Sequence, residues 1–116
     1  MNAVDFVDSI RTLVRDAAVV GAISLVERPP GRSPRADRMD LSAWYEALTE
    51  DDRLKVTRML EMVAHGAVFG LLAVLDGSRT VVTQDGTPEY FELRHVHGAN
   101  EEILSGPHGA VLHELL

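Results

Sequence analysis

The chain has no cysteine among its 116 residues. Disulfides, thiolate metal sites and a cysteine nucleophile are therefore excluded, and the composition suits a reducing compartment. Lysine is almost as scarce: ten of the eleven bases are arginine, and Lys55 is the one lysine. That skew, with the wealth of Ala, Val, Asp and Gly, reads as a GC-rich bacterial genome. Long apolar runs are missing too. The most apolar stretch, AVFGLLAVL at residues 67–75, is too short to cross a bilayer. The opening MNAVDFVDSIRTLV carries acids where a secretory signal needs bases and then an unbroken apolar run. A cytoplasmic protein with no membrane partner is the expectation. Nucleotide and hydrolase signatures are absent as well: there is no GxxxxGK[ST], GxGxxG or HExxH, and GRSP lacks the second glycine of GxSxG.

What is present is a foldable acidic chain. Apolar residues make up 46 % of it, enough for one core, and its length fits a single domain over residues 1–116. Eighteen acids against eleven bases give a net charge of −7, which repels phosphate backbones, so nucleic acid is not an expected partner. Residues 27–39 differ: they hold Arg28, Arg32, Arg35 and Arg38 with three prolines and a glycine, and read as a mobile loop. Without the four bases and two acids of residues 27–38, the remainder carries −9.

Periodicity predicts an α+β fold: a helical N-terminal two-thirds, an antiparallel β-hairpin or small meander, and a short C-terminal helix. Val7, Ile10, Val14, Ala17 and Ala18 recur at helical steps over residues 3–20, with Asn2 as cap and Gly21 as stop. A short helix is expected from Asp40 or Ser42, turning Trp44 and Leu48 to the core. Thr49 with Asp52 three residues on resembles a capping box and opens the main helix. Its polar face fades after His65, so its second half is expected to be buried on all sides, with Gly66 and Gly70 admitting a close neighbour. Residues 71–82 also fit strand, Asp-Gly turn, strand; the helical period carried from Leu54 favours helix to Leu75. SRTVVT and EYFELRHV are then expected to pair as strands, and a helix to begin near Pro107.

Four groups of residues are candidates for function. His95 and His97 share a strand face, and two imidazoles there offer half of a zinc or nickel site; the competing reading is the polar end of a strand. Asp76 of LDG is either a carboxylate at a cleft or turn chemistry, since Asp bonds its own backbone and Gly takes positive φ. Glu61 and His65, one helical turn apart, can form an acid–base pair or a surface pair. Arg28, Arg32, Arg35 and Arg38 either grip an acidic group by forked bonds or belong to a solvated connection. No residue is assigned a catalytic role and no cofactor is required.

The order WYEALTEDDR, FGLLAVLDG, a hairpin and LHELL, over residues 41–116, resembles small uncharacterised bacterial proteins of a loosely immunity-like kind. Immunity proteins neutralise a partner toxin by binding it. The matching stretches, Phe69–Gly77 and Leu112–Leu115, are core and turn residues, so the resemblance implies a fold and a protein partner and no catalytic residue. The expectation is a non-enzymatic interaction module that masks a cationic partner; a metal-binding protein or metal-dependent enzyme built on His95 and His97 is the alternative, and homodimerisation a third reading.

Overall fold

The computed structural model describes residues 1–78, 85, 89–107 and 109–116. It is α+β in the predicted order. Helices α1 (Ala3–Ile10), α2 (Ala17–Glu27), α3 (Ala36–Glu46) and α4 (Glu50–Leu75) precede strands β1 (Leu93–His97) and β2 (Asn100–Ser105) and a terminal turn of helix, α5 (Leu112–Leu115). A π-helical segment, Arg11–Asp16, joins α1 to α2. The residues form two compact units: Met1–Val14 with Gly66–Leu116, and Arg15–His65.

Local chemistry explains the helix ends. The Asn2 side chain accepts from the Asp5 N–H at 2.8 Å, and the Asp5 carboxylate reaches back to the Asn2 N–H, a closed capping box. Gly21 does not stop the first helical run, which continues through it to Glu27. The stop comes from Pro29: a proline pushes the residue before it out of the helical region, and Arg28 stands at φ −134°, ψ 81°. The irregular connection is shorter than expected, because α3 already begins at Ala36. Asp40 and Ser42 therefore lie inside a helix rather than capping one. On this helix Tyr45 is the buried aromatic and Trp44, expected in the core, is about half exposed.

Helix α4 opens as expected, with Thr49 Oγ1 accepting from the Asp52 N–H at 3.2 Å. It runs to Leu75 and closes in a Schellman motif. The Ser78 N–H donates to the Ala73 carbonyl, the Gly77 N–H to the Val74 carbonyl, and Gly77 takes φ +77°. Gly77→Ala forces a side chain into the left-handed region and is expected to cost about 1–2 kcal/mol; urea unfolding of that variant checks it.

The unit of Met1–Val14 and Gly66–Leu116 has its core in Val7, Leu72 and Leu112, packed by Phe6, Val68, Leu75, Leu93 and Leu115. β1 pairs antiparallel with β2 through a tight turn at Gly98, where φ is +62°. EYFELRHV is thus strand only from Leu93, and its partner is NEEILS, a stretch the sequence left unassigned. The expected strand SRTVVT lies outside the described residues from Arg79 onward. The pairing slips between Leu93 and Arg94, leaving Leu104 as an extra residue. Such a bulge breaks alternation, and here Leu104 and Ser105 are both buried. The last helix starts at Leu112, later than the Pro107 the sequence suggested.

The second half of α4 is not buried on all sides. Gly66 is exposed with open space where a Cβ would stand, and Leu71 is 61 % exposed. Helix α4 is long and apolar enough to cross a membrane, and only 17 % of its apolar 18-residue window is buried.

In the unit Arg15–His65, Val19 and Tyr45 are the buried apolar residues. Arg53 braces Tyr45 from above, its guanidinium 5.3 Å from the ring centre, while donating to the Glu46 carbonyl at 2.7 Å.

Candidate functional site

Two polar constellations stand out, one in each unit. The first is centred on Asp76, whose side chain is 1 % exposed. One carboxylate oxygen accepts from Ser105 Oγ at 3.0 Å and from the Leu112 N–H at 2.8 Å. The other accepts from the His113 N–H and from His113 Nδ1, each at 2.8 Å. Burial alone raises this carboxyl's pKa, but the two backbone N–H donors, with His113 and Ser105, outweigh it and hold the group below its ordinary value. An ionised carboxylate has no proton to give, so His113 carries its proton on Nδ1. The imidazole also stands edge-on to Phe69, with ring centres 5.1 Å apart.

Ser, His and Asp meet here, yet not as a nucleophilic triad. Ser105 bonds to the carboxylate, so its hydroxyl is directed away from the imidazole nitrogen that a nucleophile would need. Asp76 caps the free N–H groups of α5, and Arg11 donates to the carbonyls of Leu115 and Leu116 at 2.7 and 3.2 Å. The chain's last turn is thus held at both ends. Asp76 is neither a cleft carboxylate nor a simple turn residue bonding its own backbone. LDG and LHEL, the two stretches of the noted resemblance, are physically one joint.

The second constellation lines a cavity of about 580 Å³ within Arg15–His65. Thr57, Glu61 and His65 stand one helical turn apart on α4 and form its polar wall. Val19, Val20 and Ile23 of α2 form the apolar wall, and Arg15 and Asp16 come from the π-helical segment. Arg15 is paired with Asp16 at 2.8 Å and lies 3.4 Å from His65 Nδ1. A guanidinium only donates, so His65 accepts at Nδ1 and carries its own proton on Nε2. The predicted pair of Glu61 and His65 therefore does border a cavity. Sequence reasoning missed Arg15, Asp16 and Thr57; the four-residue step from Thr57 was a usable signal, whereas nothing local marked the π-helical turn.

A third feature is an apolar groove of about 350 Å³ in the same unit, lined by Leu25 and Val26 of α2, Leu41 and Trp44 of α3, and Val56 and Leu60 of α4. Arg38 lines it as well. The structure separates the four candidate arginines: Arg38 belongs to α3, Arg35 precedes that helix and pairs with Asp37 at 3.3 Å, and Arg28 and Arg32 are exposed in the connection.

His95 and His97 lie on β1 opposite Glu102 and Asn100, with His95 half-buried and His97 exposed. Among the described residues no group of three or more His, Asp or Glu stands close enough to hold a metal ion, and His108 lies outside them. Comparison with protein families, with curated proteins and with solved structures gives no match to this chain.

Proposed function

We propose that the chain is a non-enzymatic protein-interaction module, immunity-like in the sense that it acts by covering a basic partner. The observation that carries this reading is the apolar groove with Trp44 at 53 % exposure beside it. Isolated exposed apolar residues are ordinary, but a half-exposed tryptophan on a preformed apolar concavity is the usual anchor of a binding surface. Charge defines the partner. Met1–Val14 with Gly66–Leu116 contains nine acids against three bases, whereas Arg15–His65 has nine against eight. The chain as a whole carries −7, so a partner rich in Arg or Lys is attracted to it, and an apolar side chain of that partner fills the groove.

The test is a low-salt affinity capture from the native organism, run in parallel with wild type and Trp44→Ala. A basic protein retained in one-to-one ratio, lost at high salt and reduced about tenfold or more by the substitution is the expected result. Empty beads, or capture indifferent to Trp44, would overturn the reading. Light scattering showing a tight homodimer, or binding to anionic vesicles, would assign the exposed apolar surface to another occupant.

A further inference from the structure

From the cavity between Arg15, Val20 and Glu61, we infer that the protein binds a small organic amine, an ammonium carried on an apolar body. The volume, about 580 Å³, is that of an ordinary small-molecule site. Its chemistry is one-sided. Arg15, the fixed cation of the lining, is engaged by Asp16 and His65. Glu61 has no hydrogen-bonding or ion-pairing partner among the described residues, so the lining carries one net negative charge with His65 neutral. Thr57 donates its hydroxyl proton to the Arg53 carbonyl at 3.2 Å, which leaves its oxygen lone pairs as acceptors. Glu61 and Thr57, one turn apart on α4, thus offer acceptors to an N–H-rich cation, and Val19, Val20 and Ile23 offer hydrocarbon contact to the rest of it.

The backbone adds an independent argument. Arg15 and Asp16 end a π-helical segment, and such segments, costly in backbone geometry, occur frequently at functional sites. The two charged residues that close this segment both line the cavity. An anionic ligand is disfavoured, because it must displace Asp16 from Arg15 and approach Glu61.

Titration calorimetry with the intact chain decides the matter, using phenethylamine, hydrocinnamate and phenethyl alcohol as cationic, anionic and neutral probes of similar shape. Phenethylamine is expected to bind tightest and to weaken about tenfold on Glu61→Gln. Thr57→Val is expected to weaken it by a smaller factor, with circular dichroism unchanged in both variants. Preference for hydrocinnamate, equal affinity for all three probes, absence of binding, or an unaltered affinity in Glu61→Gln each overturns the inference.

Discussion

Asp76→Ala is expected to lower the unfolding free energy by about 3–5 kcal/mol, the range for removing one member of a buried charged network. The magnitude follows from what is left behind. Two backbone N–H groups of α5, the Ser105 hydroxyl and His113 Nδ1 all lose their acceptor in a site where the carboxylate was 1 % exposed. Each buried group left unpaired costs about 1–3 kcal/mol, and partial relaxation of a four-residue helix recovers some of it. Asp76→Asn keeps the shape but turns an amide N–H₂ toward donors, so it is expected to fall between wild type and alanine. Hydrogen exchange locates the effect: the Leu112 and His113 amides should lose protection in Asp76→Ala. Unchanged protection at those amides would mean that the carboxylate does not hold α5.

The same joint has a defined pH response. The folded-state pKa of Asp76 is lowered from 3.8. Its contribution is therefore complete above the unfolded value, and it is lost as pH falls through the folded one. The stability gap between wild type and Asp76→Asn should be constant from about pH 7 to about pH 5 and narrow as pH falls through about 4 and below. Urea unfolding at both ends of that range measures it. A gap that widens in acid would contradict the assignment.

What was legible in the sequence was local. The Asn2 cap, the Thr49 cap and the continuation of α4 to Leu75 depend on residues within a turn or two of each other, and each was readable from spacing. The Asp76 joint was not, because its partners lie 29 to 37 residues away and nothing in LDG announces them. Trp44 shows a different failure. Its four-residue spacing from Leu48 suggested the core face, but α3 turns the neighbouring Tyr45 inward and leaves Trp44 half exposed. The cavity residues were half legible: Glu61 and His65 through helical spacing, Arg15 and Asp16 not at all, since a π-helical turn leaves no period to read.

Helix phase also sets the last expectation, on two adjacent leucines of α4. Leu72 is 2 % exposed and joins Val7 of α1 and Leu112 of α5 in the core, whereas Leu71 is 61 % exposed. Leu72→Ala removes a branched carbon and its two methyl groups where three elements meet and leaves a cavity that none of them closes alone. A loss of about 3–5 kcal/mol, the upper part of the usual range, is expected. Leu71→Ala, with the same chemistry one residue away, should stay within about 0.5 kcal/mol of wild type, and it replaces leucine by a better helix former. Urea midpoints of the two variants separate these outcomes directly. A larger loss at Leu71 would rotate α4 by one residue and place its apolar stripe, rather than Leu72, against the core.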